Sequence, residues 1–206
     1  MSNLIKKILA RKVPAITNQT ALTSFIDGSS AYVAQSTLYG YIKTRAGFEY
    51  FRLFDDKIFV NSINVAKWNI YAACVSDLTL FCGAHIRQQL QTSDNLLTVF
   101  MATCAESAFA EHGTPTDAGD DYVKLVQKAL ERVRTVYWLD LPADESPFSH
   151  SPDALVYWSP IADNHKKHDA AIVKNSITFK WKEIRDNFRH QANLPALANE
   201  ILQQKT

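Results

Sequence analysis

The chain has 206 residues, of which 47% are apolar and 21% are charged, and its net charge is +1. This length suits one domain with a well-developed core, and the composition is that of a globular protein. A net charge near zero argues against nucleic-acid binding, which favours a strong excess of basic residues. The most apolar window, residues 70–82, contains Asp77 and is shorter than the ~20 apolar residues that a membrane span needs.

Residues 1–12 form the first predicted element, a basic amphipathic segment that precedes a single all-α domain at residues 17–206. Basic helices with one apolar side bind anionic membrane surfaces. The residues expected at such a surface are Leu4, Ile5, Lys6, Lys7, Ile8 and Leu9. The alternative is that these apolar side chains dock on the domain itself.

Helical spacing of apolar residues predicts two helices before residue 46, with a break at residues 27–30, where the sequence reads Asp-Gly-Ser-Ser. Gly47 is expected to end the second helix. An aromatic turn follows at residues 48–54, and we expect its four rings to plug the core. These rings belong to Phe48, Tyr50, Phe51 and Phe54.

Residues 57–87 form the central predicted helix, because they are apolar on two opposite sides. One side is a narrow seam of mostly small residues, and the other carries mostly large ones. The seam consists of Ser62, Ala66, Asn69, Ala73, Ser76, Leu80 and Gly83. A helix that is apolar on two sides is expected to be surrounded by other helices.

The rest of the chain continues the helical pattern. Helices are predicted from Ser93 or Asp94 to about residue 111, from about residue 121 to 138, from 151 to 158, from 163 to 189 and from Pro195 onward. No alternating pattern is long enough for a strand. The sequence therefore predicts an all-α, single-domain helical bundle of about seven helices around the buried helix 57–87.

The three cysteines indicate where the protein resides. Cys74, Cys82 and Cys104 all lie in apolar stretches, so we expect buried, reduced thiols and a cytoplasmic location, with peripheral membrane contact left open. His165, His168 and Asp169 share one helix face, as metal ligands in helical bundles do, but no second matching set exists. We therefore predict no metal and no other cofactor.

Asp77 is the most unusual acid, since it lies in the most apolar part of the central helix. A buried carboxylate must be hydrogen-bonded, paired with a base or shifted upward in pKa. It is therefore a candidate buried polar site. Such an acid is either catalytic, if it lies in a cleft, or structural, tying the helix to an arginine or to the end of a neighbouring helix.

Basic residues lie on one side of the helix predicted at 163–189, roughly opposite its apolar stripe. They are Lys167, Lys174, Lys182, Arg185 and Arg189. Residues 94–145 carry ten acids and four bases, a net charge of −6. The basic side is therefore either a surface for an acidic partner or the counterpart of this acidic region within one fold.

No motif for nucleophilic catalysis or phosphate binding is present. The leading interpretation is a non-enzymatic helical interaction protein, such as an adaptor, assembly factor or accessory subunit, that binds a protein partner, with binding at a membrane surface left open. The alternative is a helical bundle that binds a small molecule or lipid, including an enzyme with an unrecognised site. A seam that lines an open cleft would favour this alternative.

Overall fold

The computed structural model describes residues 14–89 and 93–203. They form seven α-helices and one 3₁₀ helix: α1 Gln19–Ala46, the 3₁₀ helix Gly47–Asp55, α2 Lys57–Gln89, α3 Asp94–Ala110, α4 Tyr122–Arg134, α5 His150–Trp158, α6 Asp163–Gln191 and α7 Leu194–Gln203. The predicted all-α single-domain bundle is confirmed. The described residues contain no strand, only an isolated parallel bridge between Ile16 and Ala192.

Helix α2 lies at the centre of the bundle, as predicted, and packs against α1, α3, α4 and α5. From Asn69 to Gly83 every side chain except that of Ala73 is buried. This burial is what a helix that is apolar on two sides requires, because neither side can face water. All three cysteines are free and buried, which confirms the prediction for their thiols.

Helix α1 is continuous, so the break predicted at residues 27–30 is wrong. Its N-terminus is capped by Asn18, whose side chain accepts from the amide of Ala21 at 2.8 Å, and it ends at Gly47, whose φ is +53°. One polar residue in its middle, Asp27, contacts two other parts of the chain. Asp27 accepts from the Tyr71 hydroxyl at 2.7 Å and lies 2.8 Å from the His112 ring.

The aromatic rings of the 3₁₀ helix do not plug the core as predicted. Phe48 is fully exposed and Phe51 is 79% exposed. A 3₁₀ helix has three residues per turn, so residues 48, 51 and 54 align on one side, which here faces outward. Tyr50 and Leu53 lie on the inner side and pack against the core.

The small seam of α2 divides into a closed end and an open middle. Gly83 packs against the ring of Trp138, which is 2% exposed and donates to Thr98 Oγ1 at 2.8 Å. This packing depends on α4 ending at Arg134 rather than at Trp138 as predicted, because the loop after α4 carries the indole back to α2. Ala73, by contrast, lines an open cleft.

Candidate functional site

Asp77 is the centre of a buried polar cluster that joins α2 to α4 and α5. Its carboxylate is fully buried and accepts from Arg132 at 2.5 Å and from the backbone amide of Ser151 at 2.7 Å. Arg132 also donates to Ser76 Oγ at 3.0 Å and to the Pro147 carbonyl at 2.8 Å. The cluster therefore holds the first turn of α5, and the loop before it, against the central helix.

Burial raises the pKa of Asp77, while Arg132 and the Ser151 amide act in the opposite direction. Both carboxylate oxygens have donors, and an anion at the start of a helix is also favoured by the helix dipole. Since the carboxylate is inaccessible to solvent, a substrate has no route to it. The arrangement matches the structural tie that the sequence left open as an alternative.

Asp77, His150 and Ser151 are the residue types of a hydrolase triad, but their geometry is not that of a triad. The carboxylate is near the backbone amide of His150, at 3.3 Å, and has no hydrogen bond to its ring. The Ser151 hydroxyl is buried and accepts from the indole of Trp181 at 2.9 Å. A triad needs the imidazole between the carboxylate and an accessible hydroxyl.

A cleft of about 280 Å³ lies beside this cluster, between α2, α4 and α5. Its apolar walls come from Ala73, Leu125, Ala129, Ala154 and Trp158, and its polar lining from Asn69, Ser76, Lys128, His150 and Asp153. Partial burial, together with the nearby charge of Arg132, lowers the pKa of His150. The cleft thus combines an apolar interior with a few converging polar groups, as ligand sites do.

Two larger clefts flank α5 and carry most of the lysines in this region. One, of about 840 Å³, lies between α5 and α6 and is lined by Lys166, Lys167 and Lys174. The other, of about 480 Å³, lies between α4 and α5 and is lined by Lys124 and Lys128. Three aspartates also line the two clefts, so their net charge is +2. We call them together the lysine clefts.

The five bases predicted to form one partner-binding face do not share one environment. Lys167 and Lys174 line the larger lysine cleft, while Lys182 is exposed elsewhere on α6. Arg185 is 12% exposed, pairs with Glu145 at 2.9 Å and lies over the ring of Phe148.

Arg189 lies over the ring of Phe81, donates to the Ala143 carbonyl at 3.2 Å and pairs with Asp186. Arg185 and Arg189 therefore fasten the loop before α5 to the core. Arg185 contacts Glu145 and Arg189 contacts the Ala143 carbonyl, both in the acidic region. These contacts agree with the alternative prediction, in which the basic side and the acidic region attract each other within one fold.

The remaining predicted residues fall into two groups. Leu4, Ile5, Lys6, Lys7, Ile8 and Leu9 lie outside the described residues, so their contact with a membrane stays a prediction. Asp169 is bound by Arg45 and accepts from the Tyr41 hydroxyl at 2.9 Å. Within residues 14–89 and 93–203, no group of three metal-ligating side chains is placed to hold an ion.

No helix among the described residues has the length and apolar character needed to span a bilayer. Comparison of the chain with protein-family models, with curated proteins and with solved structures finds no match. Any functional proposal must therefore rest on the residues of this chain alone.

Proposed function

We propose that the protein is a non-enzymatic helical interaction protein that binds an acidic segment of a protein partner in the lysine clefts. The observation that carries this proposal is the pairing of lysines with an apolar wall around α5. In the larger cleft, the lysines of α6 face Val156 and Trp158 of α5. A segment with acidic and apolar residues complements both walls.

Charge supports an acidic occupant. Lys124, Lys128 and Lys167 make no ion pair with any described residue, so their charges are available to a partner. Lys174 pairs with Asp153 at 2.6 Å, which neutralises one of the acids in the clefts. Complementary charge speeds association and selects partners more than it adds affinity.

Exposed aromatic area also supports a protein partner. Tyr157 is 69% exposed on the ridge between the two lysine clefts, and its ring contacts Trp158 at a centroid distance of 5.0 Å. Aromatic side chains are enriched where protein surfaces bind one another. The central acid, Asp77, offers no competing enzymatic interpretation, because it is neutralised by Arg132 and closed to solvent.

The proposal is tested with a fluorescent peptide of alternating acidic and leucine or tryptophan residues, and with an analogue that has glutamine in place of the acids. The double variant Lys167→Glu, Lys174→Glu should weaken binding of the acidic peptide by about tenfold or more. Raising the salt concentration from about 50 to about 300 mM should weaken binding to the wild type.

Lys182→Glu is the matched control, since Lys182 is an exposed lysine of the same helix that lines neither cleft. It should bind the peptide as the wild type does. The single variant Lys167→Glu keeps the Lys174–Asp153 pair, so weaker peptide binding by this variant cannot result from breaking that pair. Equal binding of the acidic and glutamine peptides, or unchanged binding by the double variant, would refute the proposal.

A further inference from the structure

The cleft at Ala73 has the features of a second, smaller site, which adjoins the lysine clefts and shares Lys128 and Trp158 with them. Its volume of about 280 Å³ lies just below the range of typical small-molecule pockets. It is framed by three helices, and the buried tie between Asp77 and Arg132 fixes two of them close to its floor.

The charges around this cleft leave one cation without a counter-charge. Asp77 is neutralised by Arg132 behind the floor, and Asp153 is neutralised by Lys174 at the rim. Lys128 lines the cleft and pairs with no acid among the described residues. The electrostatic preference of the cleft is therefore for a single negative charge.

The hydrogen-bonding groups of the cleft are mostly donors. Ser76 accepts from Arg132, which leaves its own hydroxyl proton free to donate. His150 has a lowered pKa, so near neutral pH its ring is uncharged and donates from one nitrogen. The side-chain NH₂ group of Asn69 donates to the carbonyls of Val65 and Ala118, and its buried Oδ1 accepts no hydrogen bond from the described residues.

We propose that this cleft binds a small monocarboxylic acid with an apolar body. The carboxylate would accept from Lys128, His150 and Ser76, and the apolar body would pack against Ala73 and the ring of Trp158. A phosphate ester fits less well, because its second negative charge would find no further free cation while the carboxylate of Asp153 lies at the rim.

The test uses benzoate and hexanoate as probes, with benzamide and hexanamide as uncharged analogues of the same shape and phenyl phosphate as the dianionic arm. Binding is followed by the NMR shifts of the backbone amides of Ala73 and Ala154 and of the Trp158 indole. The acids should shift these signals at concentrations up to about 10 mM, as weak ligands do, and should bind more tightly than the amides and phenyl phosphate.

Two variants locate the site. Lys128→Met keeps the aliphatic stem and should weaken binding of the acids by about tenfold, the effect of losing one charge-assisted contact. Lys124→Met is its control, because Lys124 lies one turn earlier on α4 and does not line this cleft. Ala73→Leu should fill the cleft and abolish binding of the acids while leaving peptide binding to the lysine clefts intact.

The proposal is overturned if neither acid shifts these signals, or if the amides bind as tightly as the acids. Tighter binding of phenyl phosphate than of the acids would indicate that the ligand is a phosphate, and this result would also overturn the proposal. Unchanged acid binding in both Lys128→Met and Ala73→Leu would place the ligand elsewhere. If the double variant Lys167→Glu, Lys174→Glu loses peptide binding and Ala73→Leu keeps it, this site is separate from the partner-binding one.

Discussion

The closed end and the open middle of the α2 seam are built from the same kind of small residue but have opposite surroundings. At Gly83 the ring of Trp138 lies so close that a single added methyl group would overlap it. At Ala73, about three turns earlier, the neighbouring helices diverge and leave the cleft of about 280 Å³. A small residue in a helix thus indicates close approach in one place and empty space in another.

What separates the two regions is the element that covers each. The closed end is covered by a loop, which can bring an indole down onto the helix at any angle. The open middle is covered by α4 and α5, which the polar cluster of Asp77, Arg132 and Ser151 fastens to α2 beside the cleft.

The largest expected effect comes from removing the buried tie that joins α2 to α4 and α5 beside the open middle. Asp77→Ala leaves Arg132 without its carboxylate and the Ser151 amide without its acceptor. Breaking a buried ion pair of this kind costs about 3–5 kcal/mol of stability. The measurement is the free energy of unfolding from urea denaturation of the variant and the wild type.

Asp153→Ala is the control for this loss, since it removes an acid from an exposed ion pair on α5. It should change stability by about 0–1 kcal/mol. If Asp77→Ala costs no more than Asp153→Ala, the buried cluster does not hold α5 to α2.

Much of the fold could be predicted from the sequence because local patterns determine it. The two apolar sides of residues 57–87 indicated a surrounded helix, and a single acid within them indicated a buried polar site. Arg132 could not be assigned as its partner, because it lies 55 residues away and nothing local distinguishes it from neighbouring bases. For the same reason the sequence did not reveal that Trp138 would cover Gly83.

Two errors have a local cause that sequence reasoning can include. The prediction that all four rings of residues 48–54 enter the core assumes a turn, whereas a 3₁₀ period places residues 48, 51 and 54 together on the outer side. The break predicted at residues 27–30 does not form, since a helix held by packing on both sides tolerates one glycine at a cost of about 1 kcal/mol. Neither error affects the site.

The closed end is tested next by Gly83→Ala. The added methyl group overlaps the Trp138 ring, which is buried and held by its hydrogen bond to Thr98, so the core must shift. Overpacking costs about 1–3 kcal/mol, and the better helix propensity of alanine returns about 1 kcal/mol of this. A net loss of stability is expected in thermal or urea unfolding.

Gly40→Ala provides the matched control. Gly40 is an exposed glycine inside α1, and a methyl group added there meets no atom within 4 Å. This variant should gain about 0.5–1 kcal/mol of stability. If the two variants shift stability in the same direction, Trp138 does not pack on Gly83 as described.

The closed end should also respond to acid through His85. Burial, together with the nearby charge of Arg189, lowers the pKa of this histidine below its ordinary value of 6.5. The unfolded chain therefore binds a proton at a higher pH than the folded one does, and the free energy of unfolding falls as pH drops through 6.5. Urea denaturation between about pH 7.5 and 5 should show this fall.

His85→Gln removes the titrating ring and should make the pH dependence shallower than that of the wild type. Some slope remains, because the pKa of His150 is lowered as well and adds a contribution of the same sign. His150→Gln should remove that part without altering the contribution of His85. Parallel pH profiles for the wild type and His85→Gln would contradict the assignment.

The smallest effect is expected from Ala73→Leu, which tests the open middle directly. Leucine and alanine have similar helix propensities, and the added carbons enter the cleft instead of meeting a packed neighbour. Burying them gains some hydrophobic free energy, and ordering the leucine side chain opposes that gain. We expect a change within about 1 kcal/mol.

Ala66→Leu is the comparison, since Ala66 belongs to the same seam but is fully buried, and overpacking it should cost about 1–3 kcal/mol. An equal loss in both variants would mean that the seam is closed along its whole length, and the small-acid site would then lose its cavity.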